Sequence, residues 1–207
     1  AHVAGYLFLP KTTSTVPDDV RAFVEGGPPP ICIGFGSMAD NNPAELRQIV
    51  LDVLGRLKAR AVIIGGSGGA LSGLGDRERI CEAPFVDYDW LFRRVSMVVH
   101  QGGAGTASFC LTAGVPQVIV PYCLDHTFWE WRMRALGVAP PGITRHRLTS
   151  RALHKAIHRT MSDPSFRSRS EELAPRIIAE DGLQRAVQLL SDHFGNRPAP
   201  TLEELVI

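Results

Sequence analysis

His100-Gln101-Gly102-Gly103-Ala104-Gly105-Thr106 joins an apolar run, residues 95–99, to a segment of helical patterning that opens near Thr106. A strand, a glycine-rich turn and a helix start in that order decide the fold class, because this is where an α/β protein holds a phosphate. Backbone N–H groups at a helix start have no intrahelical partner and carry the positive end of the macrodipole. Glycines remove the Cβ atoms that would keep a diphosphate away. His100 adds a side-chain donor at the strand's carboxyl end, and Thr106 can cap the helix and offer a hydroxyl. The stretch has neither the G-x-G-x-x-G spacing of a dinucleotide site nor the Lys of a P-loop.

Outward from this turn the chain alternates. Ile31-Cys32-Ile33-Gly34-Phe35 reads as a buried strand, and Pro43 opens a helix with an apolar stripe at Leu46, Ile49, Val50, Val53, Leu54 and Leu57. Residues 61–64 are the next strand, residues 80–83 a short third, and Trp90-Leu91-Phe92 lies on a brief helix. The strand at 95–100, a helix at 106–113 stopped by Gly114 and a strand at 117–120 complete the series. The prediction is an α/β fold: a Rossmann-like parallel sheet with helices on both faces and a helical C-terminal tail. Ligands of such sheets lie beyond the carboxyl ends of the strands, so residues 34–37, 65–69, 100–106 and 121–126 would converge on one crevice.

The ends read differently. Residues 1–30 contain Pro10, Pro17 and Pro28 to Pro30 and suit a linker-like lead-in with one short surface helix at 18–25, so the domain proper would span 31–195. Thr149 is a candidate cap for a helix over 150–161, Asp163-Pro164 restarts another through Ala179, and a last helix at 182–194 is expected to pack back on the body. Residues 196–207 read as a loose tail.

With 207 residues and 44% hydrophobic content the chain can bury a core without disulfides or metal. Its 22 basic and 21 acidic residues leave a net charge of +1, which gives no bulk electrostatic reason to expect nucleic acid or an anionic membrane. No segment approaches the roughly twenty continuous apolar residues of a membrane span, and the first ten residues lack the basic head of a signal peptide. Ala1 is not an initiator Met, so a fragment or processed chain is expected. Cys32, Cys81, Cys110 and Cys123 show no C-x-x-C spacing and read as free thiols of a reducing, cytoplasmic compartment.

Read onward through Ala113-Gly114-Val115-Pro116-Gln117-Val118-Ile119-Val120-Pro121 to Asp125-His126-Thr127-Phe128-Trp129, the stretch resembles the donor-binding motif of nucleotide-sugar glycosyltransferases of the two-domain GT-B fold. The resemblance is to the sterol, antibiotic and glycolipid branch, which carries H-x-G-G-A-G-T. A second match, Gly34-Phe35-Gly36-Ser37-Met38, lies about sixty residues upstream in the right order. Gly5-Tyr6 and the Pro-rich approach to Ile31 are similar to that family's interdomain linker. The resemblance covers nearly the whole chain but only the carboxyl-terminal half of a family member.

The resemblance implies a role for each site residue. Ser37, His100, Gly102, Gly103, Ala104, Gly105 and Thr106 would hold the donor's diphosphate. Asp125 and His126 would bind the sugar, although the family usually has glutamine where this chain has His126. A neutral imidazole can still donate from one nitrogen and accept at the other. The family's tryptophan after the strand at 61–64 is absent, so the base would rest on Phe85, Val86 and the turn Asp87-Tyr88. For Trp129 and Trp131, core packing and ligand contact are both open, and Gly65 to Gly69 reads equally as a flexible loop or a ligand loop.

What the family does implies an inverting, metal-independent transfer of a hexose from a UDP- or dTDP-sugar to a hydroxyl of a lipid, sterol or natural-product acceptor. The donor is a substrate and no cofactor is implied. The general base and the acceptor pocket would belong to an amino-terminal domain or subunit, through which peripheral membrane association could also arise. No residue of this chain is expected to act as the base. The last helix crosses to that half in the family, so Leu189, Leu190 and Phe194 would be either core or an interdomain contact. A donor-binding subunit of a two-protein transferase and a nucleotide-sugar epimerase of the same fold are the alternatives.

Overall fold

The computed structural model describes residues 1–8, 16–65, 69–74 and 78–195. Five parallel strands form one sheet: β1 (Ile31–Gly34), β2 (Ala61–Ile64), β3 (Ile80–Ala83), β4 (Met97–His100) and β5 (Gln117–Ile119), in the order β3-β2-β1-β4-β5. Helices α1 (Asp18–Glu25), α2 (Pro43–Leu57), α3 (Tyr88–Phe92), α4 (Ala104–Ala113) and α5 (His126–Ala135) intervene. A 3-10 turn at Arg145–Arg147 then leads to α6 (Ser150–Ser162), α7 (Pro164–Ile178) and α8 (Gly182–Phe194).

The strands are mostly apolar because both faces are covered, Glu82 of β3, His100 of β4 and Gln117 of β5 being the polar exceptions. Ile31, Ile33, Ala61, Ile63, Met97, Val99 and Val118 meet α2 and α6 on one face. Their neighbours in sequence, Cys32, Val62, Ile64 and Val98, meet Val20 and Val24 of α1, Leu91 and Phe92 of α3 and Cys110 of α4 on the other. Successive side chains of a strand alternate between faces, so a single run of five or six apolar residues supplies two cores.

Local chemistry sets the helix ends. The Asn42 side chain accepts from the Glu45 N–H at 3.2 Å with Pro43 in the first turn of α2, and Thr149 caps α6 by accepting from the Ala152 N–H at 3.2 Å. Gly114 ends α4 at φ +66. That helix starts at Ala104 with Gly103 as its cap, two residues before the predicted start, so Thr106 lies inside the first turn and caps nothing.

From Val16 onward the lead-in is part of the body. Val16, Val20 and Val24 are buried with Cys32 and Val62. Arg60 fastens the following turn: its guanidinium donates to the Phe23 and Pro28 carbonyls and lies 4.3 Å from the centre of the Phe23 ring. The expected boundary at Ile31 is therefore corrected, because α1 carries an apolar stripe that the sheet buries. The compact unit runs from Thr13 to Pro175.

Residues 1–12 and 176–207 form a second unit. Within it the α8 start presses on the amino-terminal segment so closely that a Cβ on Gly182 would lie 2.3 Å from the Tyr6 carbonyl oxygen. Gly182 is the one buried residue of α8. Leu183, Val187, Leu190 and Phe194, spaced as one helical stripe, are all exposed.

Candidate functional site

The sheet order reverses between β1 and β4, whose last residues, Gly34 and His100, are register partners. A parallel sheet opens a crevice beyond such a switch point, since the connections from the two strands leave toward opposite faces. After β1 the chain turns at once: the Met38 N–H donates to the Phe35 carbonyl at 3.2 Å, Gly36 takes φ +59, and Ser37 is exposed at the tip. After β4, Gly102 takes φ +97 and α4 begins. The first bond within α4 runs from the Ala107 N–H to the Gly103 carbonyl at 3.0 Å. The N–H groups of Gly103, Ala104, Gly105 and Thr106 are thus left with no partner in the helix, which makes this end an anion-binding surface.

Gly102 is held from behind. A Cβ there would lie 2.9 Å from Ile119 Cγ2 and 3.0 Å from the His126 carbonyl oxygen, so β5 and the start of α5 fix the turn.

His100 differs from its expected role as a side-chain donor. It is fully buried, its Nδ1 accepts from the Gly102 N–H at 3.1 Å, and its Nε2 lies 2.9 Å from Gln117 Oε1. Because Nδ1 is an acceptor, the ring proton is on Nε2 and is given to Gln117. Both nitrogens are used inside the protein, and none is left to donate to a phosphate. Burial pushes the imidazole pKa down to about 4, so the ring is neutral at pH 7. Gln117 in turn donates to Met133 Sδ at 3.5 Å, so a buried polar chain runs from the glycine turn through β4 and β5 to α5. His100 shapes the turn from beneath.

Asp125 is exposed, and its Oδ2 accepts from the Trp129 indole N–H at 3.0 Å. His126 is buried, its carbonyl lies close to Gly102, and its Nδ1 faces the Cys123 N–H at 3.5 Å. Trp131 is half exposed and so does not belong to the core. At the other edge of the sheet, after β3, Phe85 is 75% exposed whereas Val86 is buried beside Val62 and Ile64. The Val86 side chain belongs to the core, so a base contact there would use its backbone, as the resemblance implies. Of the Gly65–Gly69 loop, residues 66–68 lie outside the described residues. The expected subsites therefore follow the sheet order: Phe85 after β3, the Phe35–Met38 turn and the α4 start at the centre, and Asp125 after β5. Neighbouring strands lie about 4.8 Å apart, so this row of strand ends runs about 19 Å.

One group at this crevice has no signal in the sequence. The Asp40 side chain, 1% exposed, accepts from Arg145 Nε at 2.6 Å, Arg145 Nη2 at 2.9 Å, the Tyr122 hydroxyl at 2.8 Å and the Asn42 N–H at 2.8 Å. Burial raises its pKa, but these four donors outweigh burial and hold the carboxyl below its usual range. The cluster ties the loop after β1 to the loop after β5, and Tyr122 also packs on Phe35 with ring centres 5.7 Å apart. Arg145→Ala removes two of the four bonds and leaves a buried carboxylate under-paired. We expect it to lower stability by about 3 kcal/mol in urea denaturation; a loss below about 1 kcal/mol would mean the pair is peripheral.

Residues 48–192 match the family described as erythromycin biosynthesis protein CIII-like, C-terminal domain. The chain is 32% identical over 192 residues to O-mycaminosyltylonolide 6-deoxyallosyltransferase of Streptomyces fradiae, covering 92% of this chain and 44% of that protein. It is 35% identical over 193 residues to a sterol 3-beta-glucosyltransferase of Arabidopsis thaliana, covering 93% of this chain and 30% of that protein. The chain thus spans less than half the length of these relatives. Among solved structures, the glycosyltransferase VinC in complex with dTDP superposes with a TM-score of 0.69 at 23% identity, over 87% of this chain and 45% of that one. The glycosyltransferase of kitacinnamycin superposes with a TM-score of 0.70 at 23% identity, over 81% and 44%. These two show that the sheet and its helices are those of a GT-B carboxyl-terminal half.

Proposed function

Because the chain belongs to the erythromycin biosynthesis protein CIII-like C-terminal domain family, and the relatives above are named as sugar transferases, we propose that it is the donor-binding half of a glycosyltransferase. The observation that carries this reading is the helix start at the switch point, with four N–H groups that have no partner within the helix, next to the strand that ends in the Phe35–Met38 turn. A nucleotide sugar lying along the strand ends would put its base toward Phe85, its diphosphate at α4 and its sugar toward Asp125. The dTDP in VinC, whose fold this chain shares, supports a UDP- or dTDP-linked donor.

An acceptor hydroxyl attacks the anomeric carbon; the new C–O bond forms as the bond to the diphosphate breaks, and the electron pair leaves with the nucleoside diphosphate. The growing charge on that leaving group is met by the α4 N–H groups, which are already oriented and need no reorganisation. Among the described residues no group of three His, Cys, Asp or Glu is placed to hold a metal ion. Attack opposite the departing diphosphate inverts the anomeric centre. The hydroxyl proton goes to a base in the other half, which also carries the pocket for a lipid, sterol or natural-product acceptor. The exposed α8 stripe suits contact with that half, whether it is the same polypeptide or a separate subunit. Among the described residues no helix is long and apolar enough to cross a membrane, and the four cysteines are free thiols, which suits a reducing cytoplasm.

Calorimetric titration with UDP, dTDP and GDP tests the reading. One of the first two is expected to bind with a micromolar Kd, about −8 kcal/mol, and the chain alone is expected to transfer no sugar. Absence of binding by all three, in this chain and in the chain joined to its other half, would remove the donor-site reading.

A further inference from the structure

The net charge of +1 hides an uneven distribution. Residues 131–162 hold seven Arg and Lys and no Asp or Glu, so the rest of the chain is net acidic. Within this run Arg151, Lys155 and Arg159 recur every four residues of α6, a row of about 12 Å, and Arg147 stands one turn before them. All four are exposed. His154 and His158 share that side of the helix, with rings 6.0 Å apart and 18° from parallel. Leu153, Ala156 and Ile157 take the opposite side and are buried in the core shared with α2. Elsewhere an exposed helical Arg has an acid on its own helix: Arg21 has Glu25 on α1, Arg93 has Asp89 on α3, and Arg169 has Glu172 on α7. Among the described residues Arg147, Arg151 and Lys155 have no ion pair or side-chain hydrogen bond, and the Arg159 guanidinium lies 5.8 Å from the centre of the Phe166 ring. The acids at the two ends of α6 are turned to other partners. Asp52 accepts from the Ser150 hydroxyl at 3.0 Å and from Gln48 Nε2 at 2.8 Å, and Asp163 accepts from the Ser165 N–H at 3.0 Å and its hydroxyl at 2.6 Å.

We propose that this face of α6 docks the domain on an anionic lipid bilayer, by attraction between its unpaired cations and the headgroups and without insertion. Charge complementarity selects the occupant. Cations about 6 Å apart along a rigid helix present more charge than one phosphate can meet, and they match an extended surface of opposite sign. A protein partner would need apolar or aromatic anchors at the centre of the contact, and the one exposed large apolar side chain of α6 is Met161 at its end. The same field opposes a metal ion at the His154–His158 pair. Each Arg or Lys near an anionic leaflet strengthens binding about fivefold, so four of them suffice for reversible, salt-sensitive attachment. The proposal goes beyond the donor reading: α6 packs on the α2 side of the sheet, whereas the nucleotide sugar would lie along the strand ends. It gives this half a membrane contact of its own, apart from any that the other half makes.

The test is cosedimentation of the chain with vesicles of phosphatidylcholine alone and of phosphatidylcholine mixed with phosphatidylserine. The wild type is expected to bind only the mixed vesicles and to leave them as salt is raised. Arg151→Gln combined with Lys155→Gln should weaken this binding about 20-fold. Arg132→Gln combined with Arg134→Gln removes the same charge from exposed positions of α5, which packs against α4, and should weaken it by less than about threefold. All four positions are exposed and unpaired, and urea denaturation of both variants checks that they fold as the wild type does. Absence of binding to the mixed vesicles, equal binding to both kinds of vesicle, or equal losses in the two variants would overturn the proposal. So would tighter binding to duplex DNA or to polyglutamate than to the mixed vesicles. Titration with UDP and dTDP keeps the two readings apart: both variants should match the wild type, and a chain that binds neither nucleotide but binds the mixed vesicles through α6 would lose the donor reading and keep this one.

Discussion

Gly102→Ala is expected to destabilise the chain by at least about 3 kcal/mol and to abolish nucleoside diphosphate binding. Two independent penalties combine. The residue sits at φ +97, where a side chain strains the backbone by about 1–3 kcal/mol. The added Cβ would also lie 2.9 Å from Ile119 Cγ2 and 3.0 Å from the His126 carbonyl oxygen. The second contact is with backbone at the start of α5 and cannot be relieved by a rotamer change; overpacking of this kind costs about 1–3 kcal/mol. Relief requires the turn to move, and the Gly102 N–H and the α4 start move with it. Gly105→Ala is the matched control. Nothing lies within 4 Å of its Cβ position and it is already helical, so stability should hold or rise by up to about 1 kcal/mol. Its methyl group would instead stand where the diphosphate approaches, and affinity should fall about 10-fold or more. Urea denaturation and titration of both variants separate the two effects. Equal stability of Gly102→Ala and the wild type would show that the turn is not locked by β5 and α5.

The second large effect is a pH dependence written into His100. Its folded pKa of about 4 lies below the ordinary 6.5 because the buried ring cannot accept a charge. Between these values only the unfolded chain takes up the proton. The stability contribution is therefore complete above pH 6.5 and is lost as pH falls toward 4, by about 3 kcal/mol in all. His100→Gln keeps a neutral hydrogen-bonding side chain that cannot titrate. Its denaturation free energy, followed from pH 7 to pH 4, should fall by about 3 kcal/mol less than that of the wild type. Parallel curves would mean that His100 opens to solvent before it protonates. His100→Ala should cost about 3 kcal/mol even at pH 7, since the Gly102 N–H and Gln117 Oε1 would both be left buried and unpaired.

Much of this fold could be read along the chain. The bounds of α1, β2, β3 and α8 coincide with those inferred from pattern alone, and the stripe read on α2 is the one the core buries. The glycine-rich turn after β4 lies at the switch point, as its strand and helix neighbours require. Each of these follows from a local rule: apolar period, a capping side chain, a proline at a helix start, a glycine at positive φ. Such rules act among residues a few positions apart, and so they are visible in sequence.

What the tertiary structure decided is which atoms of the site residues remain available. His100 was legible as the residue that ends a strand at the glycine turn, but the use of both its nitrogens depends on Gln117, 17 positions away on the neighbouring strand. Asp40 and Arg145 stand 105 residues apart and meet because the Arg145 N–H donates to the Pro121 carbonyl, which holds its 3-10 turn against the segment after β5. Val86 and Phe85 are adjacent apolar residues with opposite fates, one in the core and one at the surface. The physical reason is common to all three. Backbone conformation is set by short-range sterics and hydrogen bonding, whereas a side chain's free lone pairs and donors depend on what the folded chain brings against it. The sequence by itself determined a parallel α/β sheet with a glycine-rich turn at its switch point; only the packing decided that both His100 nitrogens are used inside the protein.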